Sequence, residues 1–155
     1  MAKIKLFKAS SFYTNYLNYF FQKNSPVKEK TYSDLLKDLF YDSFAWSDSI
    51  KSNLERNGQF EVEEVIVNCD WIQRKWVIEN GLSVNFADED WYLKVLKEQI
   101  CKFKPQILFA HDYGFINPKF IHEVKKTCSS IKLVIGYDGI GLCNKDMFSE
   151  CDIML

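Results

Sequence analysis

Apolar residues along this chain fall into short runs that alternate with longer stretches in which apolar positions recur every three or four residues. Short runs are typical of strands, and the longer spacing is typical of helices. The runs predict strands at residues 3–9, 60–68, 106–110 and 131–137, with a further strand from Asp152. The helical spacing predicts helices at residues 12–21, 31–40, 47–57, 70–80, 89–103 and 117–127, with a short helix at 145–150.

Local signals mark several of these helix ends. Thr31 followed by Asp34 resembles a capping box, in which two side chains satisfy the free amides of a first turn. Asp88 is expected to cap the helix over residues 89–103, and Asn117 before Pro118 has the cap-then-proline pattern of a helix start. The first strand alternates lysines with apolar residues, which predicts one polar face.

Strands and helices that alternate at these spacings predict an α/β fold of the Rossmann type, with a mainly parallel sheet and helices on both faces. The 155 residues match one domain of ordinary size. The sequence stops inside an apolar strand, with no cap or polar tail after it. We therefore expect residues 1–155 to be a single domain cut from a longer protein.

Composition narrows the class of partner and the compartment. A formal net charge of −1 gives no electrostatic support for a nucleic-acid partner. Five cysteines without metal-ligand spacing are typical of a reducing compartment, where each is most simply a small buried hydrophobe. No stretch approaches the roughly 20 apolar residues of a membrane-spanning helix, so the cytoplasm is expected, and peripheral contact with a membrane stays open.

Polar residues that follow apolar strands are the best candidates for a binding site. In an open parallel sheet, ligands bind in the crevice beyond the carboxyl ends of the strands. Three such ends supply the substrate-binding and catalytic candidates, namely Ser10 and Ser11, then His111, Asp112 and Tyr113, and finally Asp138. We expect all of them to line one concave face.

Two of these residues carry alternatives. His111 can hydrogen-bond a hydroxyl or assist proton transfer near neutral pH, or it can be a loop histidine held by a backbone carbonyl. Asp138 can bind sugar hydroxyls or a cation, or it can form an Asp-Gly turn with Gly139. The first strand-to-helix turn contains no glycine, so a dinucleotide site of the standard pattern is not expected. No cofactor and no metal site is predicted.

Four segments of the sequence resemble CgeB-type glycosyltransferases. Residues 42–48 (DSFAWSD) are similar to the "SF-x-WSD" stretch of that family, and residues 75–81 (KWVIENG) to its "K-x-W-x-x-E-N-G" helix end. Residues 104–112 resemble the "K-P-D, apolar strand, H-D" step of GT-B transferases more widely, and residues 131–136 match the following strand. The resemblance covers nearly the whole chain and is densest over residues 41–136.

The resemblance implies the N-terminal, Rossmann-like half of a two-domain GT-B enzyme. This half mainly binds the acceptor, which is a sugar, a glycan or a protein, and the C-terminal half binds the nucleotide-sugar donor. His111 would then face the acceptor or the transferred sugar. The chain departs from the family at its first turn, where Ser10 and Ser11 replace a glycine-rich turn.

The alternative function is a binding module of the flavodoxin or receiver type, with no chemistry of its own. A receiver needs a cluster of acidic residues just after the first strand, whereas this strand ends in Ser10 and Ser11. A flavodoxin-like module would be recognised on purification by the yellow colour of its bound flavin.

Overall fold

The computed structural model describes residues 2–24, 29–45, 47–111, 114–137 and 145–155. The strands are β1 Ile4–Ser10, β2 Phe60–Ile66, β3 Ile107–His111, β4 Leu133–Gly136 and β5 Ile153–Met154. The helices are α1 Thr14–Lys23, α2 Tyr32–Tyr41, α3 Ser49–Arg56, α4 Asp70–Glu79, α5 Trp91–Phe103 and α6 Pro118–Thr127, and a short 3₁₀ helix, Lys145–Phe148, precedes β5.

All five strands are parallel and form one sheet in the order β2-β1-β3-β4-β5. The predicted α/β class with a parallel sheet is confirmed, as is each predicted strand to within a few residues. This strand order is one of the two common doubly wound arrangements, and its direction reverses between β1 and β3. The chain moves from β1 outward to β2, and then crosses back to the other side of β1.

Helices cover both faces of the sheet. Phe7 and Ala9 of β1 pack in one cluster with residues of α5 and α6, including Leu96 and Val124. Leu6, on the other face of the same strand, packs in a cluster that includes Ile50 and Leu54 of α3. A third cluster joins α1, α2 and α4 around Ile66 at the end of β2.

The prediction of one polar face for β1 is wrong. Residues 6–10 are all buried, because β1 is a central strand with helices on both sides. Lys8 lies on the same face as Leu6 and Ser10, as the two-residue period of a strand requires. Only 1% of Lys8 is exposed.

Three helices begin two residues later than predicted, and two cap predictions hold. Helix α1 begins at Thr14, where residue 12 was predicted. Asp90 is the N-cap residue of α5, while the Asp88 carboxylate accepts hydrogen bonds from Lys94 and Asn85 instead. Helix α3 begins two residues later than predicted, at Ser49. Thr31 and Asn117 cap α2 and α6 as predicted, each accepting a hydrogen bond from the backbone amide three residues later.

Lys8 and Glu64 form an ion pair in the interior of the sheet. They are register partners on β1 and β2, with Nζ and Oε2 3.5 Å apart and both side chains 2% exposed. Burial lowers the pKa of Lys8, and the neighbouring Glu64 carboxylate opposes that shift. Burial likewise raises the pKa of Glu64, against the attraction of Lys8. The other carboxylate oxygen of Glu64 accepts the backbone amide of Lys51 at 2.8 Å.

Helix α3 protects the free edge of β2. The outward-pointing amide of Val62 donates to Oε1 of Glu55 at 3.0 Å, and the Val62 carbonyl accepts from Nζ of Lys51. An edge strand with unpaired backbone groups can pair with another chain and start aggregation. Charged side chains that hydrogen-bond to those groups prevent such pairing.

Within the described ranges, no helix is long and apolar enough to cross a membrane. The four described cysteines are free thiols.

The buried pair gives a testable prediction. Replacing Lys8 with Met should cost about 3–5 kcal/mol of unfolding free energy, because it leaves the Glu64 carboxylate buried without a counter-charge. The double variant Lys8→Met/Glu64→Leu should recover most of that loss. The measurement is urea unfolding of both variants.

The control is Lys5→Met on the same strand. Lys5 pairs with Glu61 at 3.1 Å, but both side chains are more than a third exposed, so its loss should cost about 1 kcal/mol or less. Equal destabilisation by Lys8→Met and by the double variant would show that the uncompensated charge is not the cause.

Candidate functional site

The structure brings Ser10, Ser11 and His111 to one small pocket at the carboxyl ends of β1 and β3. We call it the strand-end pocket. Its cavity is about 160 Å³, and it is lined by Lys8, Ser10, Ser11, Phe12, Tyr13, Phe44, Ala45 and His111. The pocket lies at the point where the strand order reverses, which is where doubly wound sheets bind ligands.

Ser10 and His111 meet because they are register partners on adjacent strands. Oγ of Ser10 lies 3.3 Å from Nδ1 of His111. Ser10 is 4% exposed, and His111 is partly buried, with its ring centroid 4.5 Å from that of Tyr137. Two polar side chains at this depth can orient a hydroxyl group that enters the pocket.

Burial lowers the pKa of His111 to about 4, and the positive charge of Lys8 adds to the shift. The imidazole is therefore neutral at neutral pH. A neutral imidazole has one donor and one acceptor nitrogen, which suits it to hold a hydroxyl group. Because the His111 ring is a weaker base than an ordinary histidine, it is better suited to hydrogen-bond that hydroxyl group than to remove its proton.

An aromatic cluster forms one wall of the pocket. The ring of Phe44 stacks on Tyr16 with a centroid distance of 3.7 Å and an interplanar angle of 10°. Phe12 and Tyr13 approach Phe44 edge-on, at 5.4 and 5.9 Å. The hydroxyl of Tyr16 donates to the Asp42 carboxylate at 2.8 Å, which fixes the stack.

Phe44 reaches the pocket through an unusual loop between α2 and α3. Ser43, Ala45 and Ser47 all have left-handed backbones, with φ of 54°, 51° and 41°. Non-glycine residues in this region are strained, and such strain concentrates at functional sites. The turn after β1 is held as firmly, because Asn68 accepts the amide of Phe12 at 3.0 Å and donates to its carbonyl at 2.6 Å.

Sequence reasoning missed several of these residues. Lys8 and Phe44 line the pocket, but neither follows an apolar strand, which was the pattern sought. Asn68 braces the rim and does come directly after the apolar run of residues 65–67, so the same pattern could have found it. Of the predicted residues, Asp112, Tyr113 and Asp138 lie outside the described residues. His122 is half exposed on α6, with Nδ1 3.3 Å from the Glu150 carboxylate.

The predicted aromatic helix divides between core and surface. Phe12, Phe20 and Phe21 are buried, whereas Tyr13 is 78% exposed and Tyr19 is 60% exposed. Among the described residues, no group of three or more His, Cys, Asp or Glu side chains could hold a metal ion.

Comparison of the chain with protein-family models, with curated proteins and with solved structures found no match. The resemblance to CgeB-type glycosyltransferases therefore rests on the sequence motifs alone.

The lowered pKa of His111 predicts a pH dependence of stability. The folded protein binds fewer protons than the unfolded chain between the folded pKa of about 4 and the ordinary histidine pKa of 6.5. Stability is therefore lost as the pH falls through this window. Replacing His111 with Gln removes the effect, so from pH 7 to pH 5 the wild type should lose about 2 kcal/mol more than the variant.

The measurement is urea unfolding of both proteins at pH 7 and pH 5. Parallel losses of stability in the wild type and in His111→Gln would contradict a buried, neutral His111. An NMR titration of the His111 ring provides a direct check.

Proposed function

We propose that this chain is the acceptor-side domain of a glycosyltransferase, in which the strand-end pocket holds the hydroxyl that receives the sugar. The observation that carries the proposal is the Ser10–His111 pair at the reversal point of the sheet, beside a wall of aromatic rings. Ser and His side chains hydrogen-bond hydroxyl groups, and aromatic rings pack against the apolar faces of sugar rings.

The sequence motifs add independent support. Residues 42–48, which resemble a CgeB-type motif, supply Phe44 and the strained loop that carries it. Residues 104–112, which resemble the GT-B "H-D" step, supply β3 and His111. Two separate motifs thus contribute to one pocket, as expected if the motifs mark a shared site.

The size of the pocket limits its occupant. A cavity of about 160 Å³ is below the range of about 300–1,000 Å³ that typically buries a whole small molecule. It accommodates the end of an acceptor and not a complete nucleotide sugar. The proposal therefore assigns the nucleotide-sugar donor to a second, C-terminal half. It also assigns the reaction to the cytoplasm, a reducing compartment that suits the free thiols.

One observation favours a second candidate, a binding module of the flavodoxin or receiver type. The strand order β2-β1-β3-β4-β5 is the order of flavodoxins and receivers. In such a module the ligand would occupy the same reversal point. The residues there weigh against a receiver, because β1 ends in Ser10 and not in an acidic cluster.

The two candidates differ in what the chain does by itself. Under the glycosyltransferase proposal, the pure chain should transfer no sugar from any nucleotide-sugar donor and should show no visible absorbance, because the donor half is elsewhere and no flavin is bound. Turnover by the chain alone would contradict the two-domain proposal. A yellow, flavin-containing protein would replace it with the second candidate.

The role of His111 is tested in an enzyme that joins this chain to a donor-binding half. Replacing His111 with Ala should lower transfer about 100-fold or more, since a positioned polar group is lost. Its stability should change by about 1 kcal/mol or less. Paired measurements of transfer rate and thermal unfolding separate the two effects.

Phe109→Ala is the control, because Phe109 lies two residues earlier on β3 and is 6% exposed. It should cost about 3–5 kcal/mol through the cavity that it leaves. A near-normal transfer rate in His111→Ala, or a loss of rate that only follows unfolding, would contradict the assignment.

A further inference from the structure

Two cysteine side chains meet where the last turns of α5 and α6 pack together. Cys101 lies in the last turn of α5, and Cys128 is the C-cap residue of α6. Sγ of Cys128 lies 4.0 Å from the carbonyl oxygen of Ile100, the residue directly before Cys101. The packing of two helices therefore brings together two thiols that are far apart in the sequence. We call Cys101 and Cys128 the α5–α6 dithiol.

The two thiols differ in their exposure. Cys128 is 6% exposed and belongs to the core cluster of α5 and α6, with its Sγ 3.2 Å from Oγ of Ser130. Cys101 packs against that cluster and is partly exposed. A cavity of about 220 Å³ adjoins both cysteines and is also lined by Lys104, Thr127, Ser129 and Ser130. A water molecule occupies about 30 Å³ in the liquid, so a reagent as small as hydrogen peroxide fits beside Cys101.

The other described cysteines have different surroundings. Cys69 is 1% exposed in the cluster of α1, α2 and α4, and burial raises its pKa to about 12. Burial also raises the pKa of Cys151, and the neighbours that modify this shift are charged groups such as Asp152 and not a thiol. Burial raises the pKa of Cys101 as well, but there the nearest contributing group is the Cys128 thiol.

We propose that the α5–α6 dithiol is a redox-sensitive site at which a peroxide forms a disulfide. Hydrogen peroxide transfers one oxygen to the sulfur of Cys101, which becomes a sulfenic acid, and the rest of the peroxide leaves as water. The sulfur of Cys128 then attacks the Cys101 sulfur, and the hydroxyl group leaves as water with the proton of the Cys128 thiol. Two thiols and one peroxide thus give one disulfide and two water molecules, so the peroxide is the oxidant.

The raised pKa of Cys101 sets the pace of this reaction. The thiolate is the form that attacks a peroxide, and a raised pKa keeps its population small at neutral pH. We therefore expect the site to respond to sustained exposure to oxidant and not to brief exposure. Exchange with small thiols then returns the disulfide to the dithiol.

The site is separate from the strand-end pocket. Helices α5 and α6 end just before β3 and β4, so the α5–α6 dithiol lies at the amino ends of the strands, whereas the pocket lies at their carboxyl ends. A disulfide between α5 and α6 would close the loop that carries β3 and α6. Such a cross-link restricts the unfolded chain and should stabilise the fold.

The test exposes the pure chain to excess hydrogen peroxide at pH 8, followed by trypsin digestion and mass spectrometry without reduction. The disulfide should join the tryptic peptides of residues 98–102 and 127–132. Urea unfolding of the oxidised chain should show a higher midpoint than unfolding of the reduced chain. Dithiothreitol should reverse both changes.

Cys128→Ala separates the two chemical steps, because no second thiol can then displace the hydroxyl group. Dimedone, which traps sulfenic acids, should label Cys101 at least about tenfold more in this variant than in the wild type. Cys101→Ser should leave the buried Cys128 reduced. Cys151→Ser is the matched control, since Cys151 is also partly exposed, and it should form the disulfide as the wild type does. Cys143 lies outside the described residues, and Cys143→Ser is a second control with the same expected result.

Each outcome decides for or against the proposal. A disulfide between residues 98–102 and 127–132 that both control variants retain would support it. Oxidation of wild-type Cys101 to a sulfinic acid without a disulfide would overturn it, because Cys128 would then not reach the sulfenic acid. A disulfide through another cysteine, a cross-link between two chains, or no oxidation would also overturn it. The wild-type digest decides alone if Cys128→Ala does not fold, and no result depends on sugar transfer.

Discussion

The ion pair between Lys8 and Glu64 is the constraint on which the arrangement of this domain depends. It joins the central strand β1 to the edge strand β2 at a point where both side chains are 2% exposed. A buried charge is tolerated only when it is paired, so the two strands are held in the register that keeps Lys8 opposite Glu64. The second oxygen of Glu64 then accepts the amide of Lys51, which places the start of α3 against the edge of β2.

The same pair also shapes the chemistry of the strand-end pocket. The charge of Lys8 is one cause of the lowered pKa of His111, so the pair contributes to a neutral imidazole in the strand-end pocket. On its other side, Glu64 fixes the start of α3, because its second oxygen accepts the backbone amide of Lys51. Well-packed apolar residues at these two positions would often be neutral or more stable. The pair therefore calls for an explanation other than stability, and the effect of Lys8 on the protonation of His111 provides one.

Much of the fold was predictable from the sequence, because its main signals are local. A short apolar run bounded by polar residues, such as residues 106–110, is typical of a buried strand. The caps at Thr31 and Asn117 are local too, because each side chain accepts from an amide three residues later. The meeting of Ser10 and His111 was also predictable, although they are 101 residues apart. Parallel strands end at the same edge of a sheet, so the polar residues that follow them converge.

The rest could not be predicted, because it depends on contacts that no local pattern records. Lys8 looks like a solvent-facing lysine until Glu64 is known to lie beside it. Phe44 enters the pocket only because three non-glycine residues adopt left-handed backbones, a conformation that their side chains disfavour. The contact of α3 with the edge of β2 depends on Glu55 reaching the amide of Val62, which no spacing within the helix implies.

The shared ion pair also decides which variants can be interpreted. A change at Glu64 would leave Lys8 unpaired, release the backbone amide of Lys51 and shift the electric field at His111 in one step, so any loss of function would have three explanations. Ser10 lies two residues beyond Lys8 on the same face of β1, and His111 is its partner on β3. Substitutions at Ser10 and His111 are therefore easier to interpret, because they change the strand-end pocket and leave the Lys8–Glu64 contact in place.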